Sequence, residues 1–153
     1  MKRTFWWASA AYLLPTFPLG YLWHLVTFRE QYDRLDMYRE QVIIPFGLLS
    51  MVIQAVLFAW AYPRLFSTRR GEWIGSAARF AGVFALLAWS FAVVPVAAKY
   101  RMASMADFLV LETAFTIVQF LVVSPLIALA YRDLAHSATA TGSSTDALRS
   151  FAG

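Results

Sequence analysis

The chain has 153 residues, of which 60% are hydrophobic, 17% aromatic and only 14% charged, with a formal net charge of +4. A soluble domain is about a quarter charged, so this is a membrane composition, and no separate soluble domain is expected within these residues. The absence of cysteine excludes disulfides, thiolate metal sites and cysteine nucleophiles. The basic residues flank apolar runs, a placement that sets membrane topology and gives no support to nucleic-acid binding.

In chain order, four apolar runs are each long enough, at 1.5 Å rise per residue, to span a hydrocarbon core of about 30 Å. The predicted spans are residues 5–28, 42–62, 74–98 and 108–131, giving an all-α integral membrane four-helix bundle over residues 1–135. The run after Lys2 and Arg3 is too long for a signal-peptide core and lacks a small-residue cleavage site, so it reads as a retained first helix. Between the first two spans, residues 29–41 alternate charges of both signs with Leu35, Met37 and Tyr38. They read equally as a solvated loop or as a short amphipathic helix on the membrane surface. The Ser-, Thr-, Ala- and Gly-rich segment 136–153 reads as a disordered tail.

An even number of spans places both termini on one side. Lys2, Arg3, Arg64, Arg69, Arg70, Arg79, Arg132 and Arg149 share that side, and outnumber Arg29, Arg34, Arg39, Lys99 and Arg101 on the other. The positive-inside rule therefore predicts cytoplasmic termini. Pro45 falls in a first helical turn and Pro63 just past a helix end, whereas Pro15, Pro18, Pro95 and Pro125 lie within spans, where lost backbone hydrogen bonds predict kinked helices.

The polar residues inside the spans carry whatever chemistry there is. On the fourth span Glu112, Thr116 and Gln119 stand at i, i+4 and i+7, one stripe of a helix. Gly47, Ser50 and Gln54 form a second stripe; Thr16, Gly20, His24 and Thr27 a third; Ser76, Arg79, Gly82, Leu86 and Ser90 a fourth. A polar group facing lipid is costly, so the four stripes are expected to face one another. For Ser50, Gln54, Thr116 and Gln119, hydrogen bonding between packed helices accounts for the pattern. Glu112 needs a partner, because an ionised carboxylate inside the membrane is expensive.

His24 lies about one turn below the outer surface at the depth of Glu112, and opposite chain directions bring the two into reach. A neutral imidazole bonded to the carboxyl group, or an ion pair, satisfies both. Lys99 and Arg101 are rival partners for Glu112, Asp107 is a rival for His24, and a simple interfacial role beside Trp23 is the plain alternative for the histidine. The second histidine, His136, falls on the opposite side, so no metal site is expected, and Met102 and Met105 read as packing residues. No phosphate-binding loop, metalloprotease helix or nucleophile triad is visible, which leaves the cofactor unassigned and favours a non-enzymatic role.

The segments FPLGYLWHLVTF and YREQVIIPFG, the mid-helix Gln54 and the segment AYPRLF together resemble small bacterial four-helix inner-membrane proteins of unknown function, mainly over residues 17–66. The resemblance implies the fold and location and carries no activity. The expected role is an interaction or accessory subunit of a membrane assembly, with the lipid bilayer, a second copy or other membrane subunits as partners. The second expectation is a ligand-, lipid- or proton-handling protein with an outer-side polar pocket between the first and fourth spans.

Overall fold

The structure is a computed structural model that describes residues 2–39 and 41–132; the tail over 136–153 and His136 lie outside the described residues. All regular structure among the described residues is helical. Helix α1 spans Lys2–Leu22 and runs into a widened π turn at Trp23–Thr27; α2 is Arg29–Arg34, α3 Ile44–Leu65 and α4 Trp73–Ala88. A second π turn, Trp89–Val93, leads from α4 into α5 (Val94–Lys99), and α6 is Met105–Tyr131. Three helical stretches are long and apolar enough to cross a membrane: Ile44–Leu65, Arg70–Lys99 and Met105–Tyr131. The stretch beginning at Lys2, expected as a fourth, falls outside that set. Its Thr16 and Tyr12 are fully buried, so its sequence spends polar residues on helix-to-helix contact at the expense of hydropathy.

Helix α1 packs against both α3 and α6, and α4 packs against α6. The end where α1 begins, the near end, holds the connection 66–72 and Tyr131; the far end holds the connections 28–43 and 99–105. The near half is held together by aromatic rings. Phe80 is fully buried and meets Phe58, Phe66, Phe84 and Tyr62 at ring-centroid distances of 5.4, 5.6, 4.7 and 5.5 Å, tying α4 to α3. At the far half α3 leaves the others, and residues 41–50 are exposed throughout.

The prolines behave differently from one another. Pro15, Pro18 and Pro125 sit inside unbroken helices. Before Pro95 the chain adopts the π turn Trp89–Val93, whose wider radius relieves the contact between a proline ring and the carbonyl four residues back, here Phe91. Pro45 occupies the first turn of α3 as expected, but Pro63 lies inside that helix, which continues to Leu65. Lacking an N–H, Pro63 cannot bond the Ala59 carbonyl, and the Tyr131 hydroxyl donates to that oxygen at 2.6 Å. Tyr131→Phe is therefore expected to lower stability by about 1–2 kcal/mol in a denaturant titration of the micelle-embedded protein. In a Pro63→Ala background, where an N–H returns, the same change should cost clearly less. Equal losses in both backgrounds would refute this account of the bond.

Two boundaries moved for local reasons. Helix α6 begins at Met105, three residues before the expected start, because Ser104 caps it, its Oγ accepting from the Asp107 N–H at 3.2 Å. The connection 29–41 contains the short α2, ended near Asp36 at φ 52°, a left-handed conformation that aspartate tolerates better than most residues. Tyr32 and Leu35, three apart on its inner side, are buried against Val93 and Phe108, and the Ala103 N–H donates to the Leu35 carbonyl at 3.1 Å. The connection is thus a plug held against the far end.

Candidate functional site

Both π turns meet α6 at one level. From the first, His24 reaches Glu112, its Nε2 standing 3.3 Å from Oε1; from the second, the Trp89 indole N–H donates to Thr113 Oγ1 at 2.9 Å. A π turn carries one more residue per turn than the surrounding helix and re-aims the side chains on it, a device frequent at functional sites. The expected pairing of His24 with Glu112 is present, in preference to Lys99, Arg101 or Asp107.

A third member, unforeseen in the sequence, comes from the plug: the Tyr32 hydroxyl donates to Glu112 Oε1 at 2.8 Å. The Tyr32 ring lies 4.9 Å from the imidazole and stacks on Tyr38 at 5.1 Å, while Phe115 meets the imidazole edge-on at 4.5 Å. Burial first, then the charge of Glu112, pushes the Tyr32 phenol well above its ordinary value, so it remains a donor at any physiological pH. The i, i+3 spacing of Tyr32 and Leu35 was the available signal for this burial, masked by the charges on either side.

Hydrogen-bond bookkeeping constrains the pair. His24 Nδ1 lies 2.9 Å from the Gly20 carbonyl oxygen, which can only accept, so Nδ1 carries a hydrogen. A neutral imidazole then has a bare Nε2 facing Glu112. Contact at 3.3 Å between Nε2 and a carboxylate oxygen is favourable only if one further proton lies between them, on the imidazole or on the carboxyl group. The pair is thus a holder for one proton. Buried Gly20 also admits α3, since a Cβ there would stand 3.1 Å from the Met51 Cε.

Below this level a run of hydrogen bonds continues toward mid-bundle and ends there, although Ser76, Ser124 and Tyr62 are buried nearer the other end. Thr116 Oγ1 donates to the Glu112 carbonyl at 2.8 Å, Gln119 Nε2 donates to the Tyr12 hydroxyl at 2.9 Å, Tyr12 donates to Gln54 Oε1, and Gln54 Nε2 donates to Ser50 Oγ at 3.1 Å. The six expected pocket residues therefore fall into two neighbouring clusters: His24 and Glu112 with Thr116 on the Glu112 backbone, then Gln54, Gln119 and Ser50. Tyr12, absent from the sequence-derived set, joins α1, α3 and α6 in the second. The stripe expected on the third span is corrected. Only Ser76 is buried, while Arg79, Gly82, Leu86 and Ser90 are exposed, because the packing face of α4 is taken by Ala77, Phe80 and Phe84.

Two cavities flank α3, the first at its far half and the second along most of its length. A groove of ≈ 540 Å³ between α1, α3 and the plug is lined by His24, Tyr38, Arg39, Phe46 and Met51 among others. A cleft of ≈ 670 Å³ between α3 and α4 has Tyr12, Glu112, Thr116 and Gln119 on its floor and Ser50 and Gln54 on one wall. Gly47, Met51 and Phe115 line both, so the proton-holding pair separates the two spaces, histidine toward the groove and glutamate toward the cleft. The chain matches no protein-family profile, no curated protein and no solved structure.

Proposed function

We propose that the protein crosses a bacterial inner membrane four times, with both termini in the cytoplasm, and binds a small membrane-soluble ligand in the outer half of the bilayer. The observation that carries this reading is the His24–Glu112 contact set between two cavities of ligand size, since such cavities typically measure about 300–1,000 Å³. A costly ionisable pair in a membrane interior is by default a functional feature. Binding from one side is favoured over conduction, because the linked hydrogen bonds end at Gln54, Tyr12 and Gln119, and beyond them Phe80, Val123 and Ile127 are fully buried. The excess of Lys and Arg beside the termini supports the orientation, which a reporter fused after Ala130 reads directly.

A role as an accessory subunit is the second reading, supported by the bare surface of residues 41–50, which a partner helix would cover. Native mass spectrometry of the gently extracted full chain separates the two. A retained small molecule that disappears in Glu112→Gln supports the ligand site. A co-purifying protein chain with no small molecule at any loading would replace it with the subunit role.

A further inference from the structure

Resting on that reading of the site, we propose that the ligand is a lipophilic organic cation that enters the cleft from the lipid phase and displaces the proton held by His24 and Glu112. The charge of the lining points to the class. Glu112 is the one ionisable acid that the cleft presents, and no lysine, arginine or histidine is among the residues that line it. An anion would find no positive group to pair with there, since the one proton of the site is already shared between His24 and Glu112. A small hydrated metal ion would find too few oxygens to replace its water. The remaining walls mix aliphatic side chains with the rings of Tyr12, Phe58, Phe84, Phe91, Phe115 and Phe120, and ring faces attract a desolvated cation while the aliphatic groups accept its apolar substituents.

The route follows from the way α3 and α4 part. Their near halves are clamped by Phe58 against Phe80 and Phe84, whereas at the far half Phe91 is 73% exposed and residues 44–50 of α3 touch little else. The cleft therefore opens sideways, toward the acyl chains of a surrounding bilayer. Only a ligand that partitions into lipid would reach it.

The exchange balances in charge. Before binding, the pair holds one proton between Nε2 and Oε1; a cation seated against Glu112 takes over the neutralising role, the proton is released to water, and the imidazole turns its bare Nε2 away from the carboxylate toward the groove beside Tyr38 and Arg39. The product is a neutral imidazole, a carboxylate still receiving the Tyr32 hydrogen bond, and the bound cation. The groups facing Glu112 are His24 from the π turn and Tyr32 from α2, with Tyr38 stacked behind it, and the Tyr12 phenol lines the same cleft from α1. The facing parts of α3 (Gly47, Ser50, Met51 and Gln54) and of α4 and its π turn (Phe84 to Val93) bring no ionisable side chain. One cation in and one proton out makes affinity rise with pH.

Tetraphenylphosphonium and tetraphenylborate, alike in shape and opposite in charge, test this on the full chain in detergent by calorimetry between pH 6 and 8. The phosphonium should bind saturably, at least about tenfold more tightly than the borate. Its affinity should rise by up to about tenfold per pH unit, with close to one proton released, judged from buffers of different ionisation heat. Glu112→Gln should abolish the saturable binding and its pH dependence. If that variant does not fold, the comparison of the two ions and the proton count on the native chain decide alone. Equal or tighter borate binding, phosphonium binding without proton release, or its persistence in folded Glu112→Gln would overturn the proposal. A native ligand that depends on Glu112, found alongside absent phosphonium binding, would remove the cation class and leave the site standing; absence of both would remove both.

Discussion

Phe80→Ala is expected to destabilise the protein by about 2–3 kcal/mol, more than any other truncation in the near half. Removing a buried phenylalanine from a water-soluble core costs about 3–5 kcal/mol, of which part is transfer from water and part is the cavity left behind. Lipid tails are as apolar as the core, so the transfer part shrinks in a membrane. The lost dispersion contacts and the cavity remain. Phe80 is 0% exposed and its ring meets those of Phe58, Tyr62, Phe66, Phe84 and Phe120, so no neighbour on a single helix can collapse into the space. Leu86→Ala, on the exposed face of the same helix, is the control and should change stability by less than about 0.5 kcal/mol. Both are measured by unfolding in mixed micelles. Equal costs for the two would show that the aromatic clamp does not hold α4 to α3.

Glu112→Ala should cost about 2–4 kcal/mol, because it strands the Tyr32 hydroxyl and the His24 imidazole in a largely buried setting. Glu112→Gln keeps an acceptor for Tyr32 and should cost less. The informative quantity is the coupling: Glu112→Gln and His24→Gln each destabilise, and the double variant should lose less than the sum by about 0.5–3 kcal/mol, as residues sharing one hydrogen-bonded network do. Tyr32→Phe should couple to Glu112 in the same way, since its hydroxyl shares Oε1. Additivity within about 0.3–0.5 kcal/mol for both pairs would mean that the three side chains do not act as one unit.

Much of the architecture follows from local properties of the chain. Sustained apolar runs require helices, because a backbone in hydrocarbon must satisfy its own hydrogen bonds, and so the three long apolar stretches were legible by length and hydropathy. The i, i+4, i+7 stripe on α6 likewise marks Glu112, Thr116 and Gln119 as inward-facing, a matter of helical periodicity alone. Periodicity failed on α4, where the buried face was read from Ser76, Arg79 and Ser90 and is in fact set by Ala77, Phe80 and Phe84. In a helix whose residues are nearly all apolar, hydropathy does not distinguish a side facing lipid from one facing protein; aromatic packing against α3 and α6 does.

What tertiary structure decided is how these helices meet. His24 and Glu112 are 88 residues apart, and their contact depends on α1 lying directly beside α6 and on a π turn aiming the imidazole, neither of which a local pattern specifies. Tyr32 sits among charges that favour a solvated connection, and it is buried because the plug gains apolar contacts with Val93 and Phe108 and a backbone bond from Ala103. The hydroxyl of Tyr131 serves Ala59 because Pro63, far from it in sequence, lacks an N–H. Local composition determined that this chain forms apolar helices and which of its groups are costly to leave unpaired; only the packed arrangement selected the partners, because each pairing depends on distances between segments that loop-closing chain geometry leaves open.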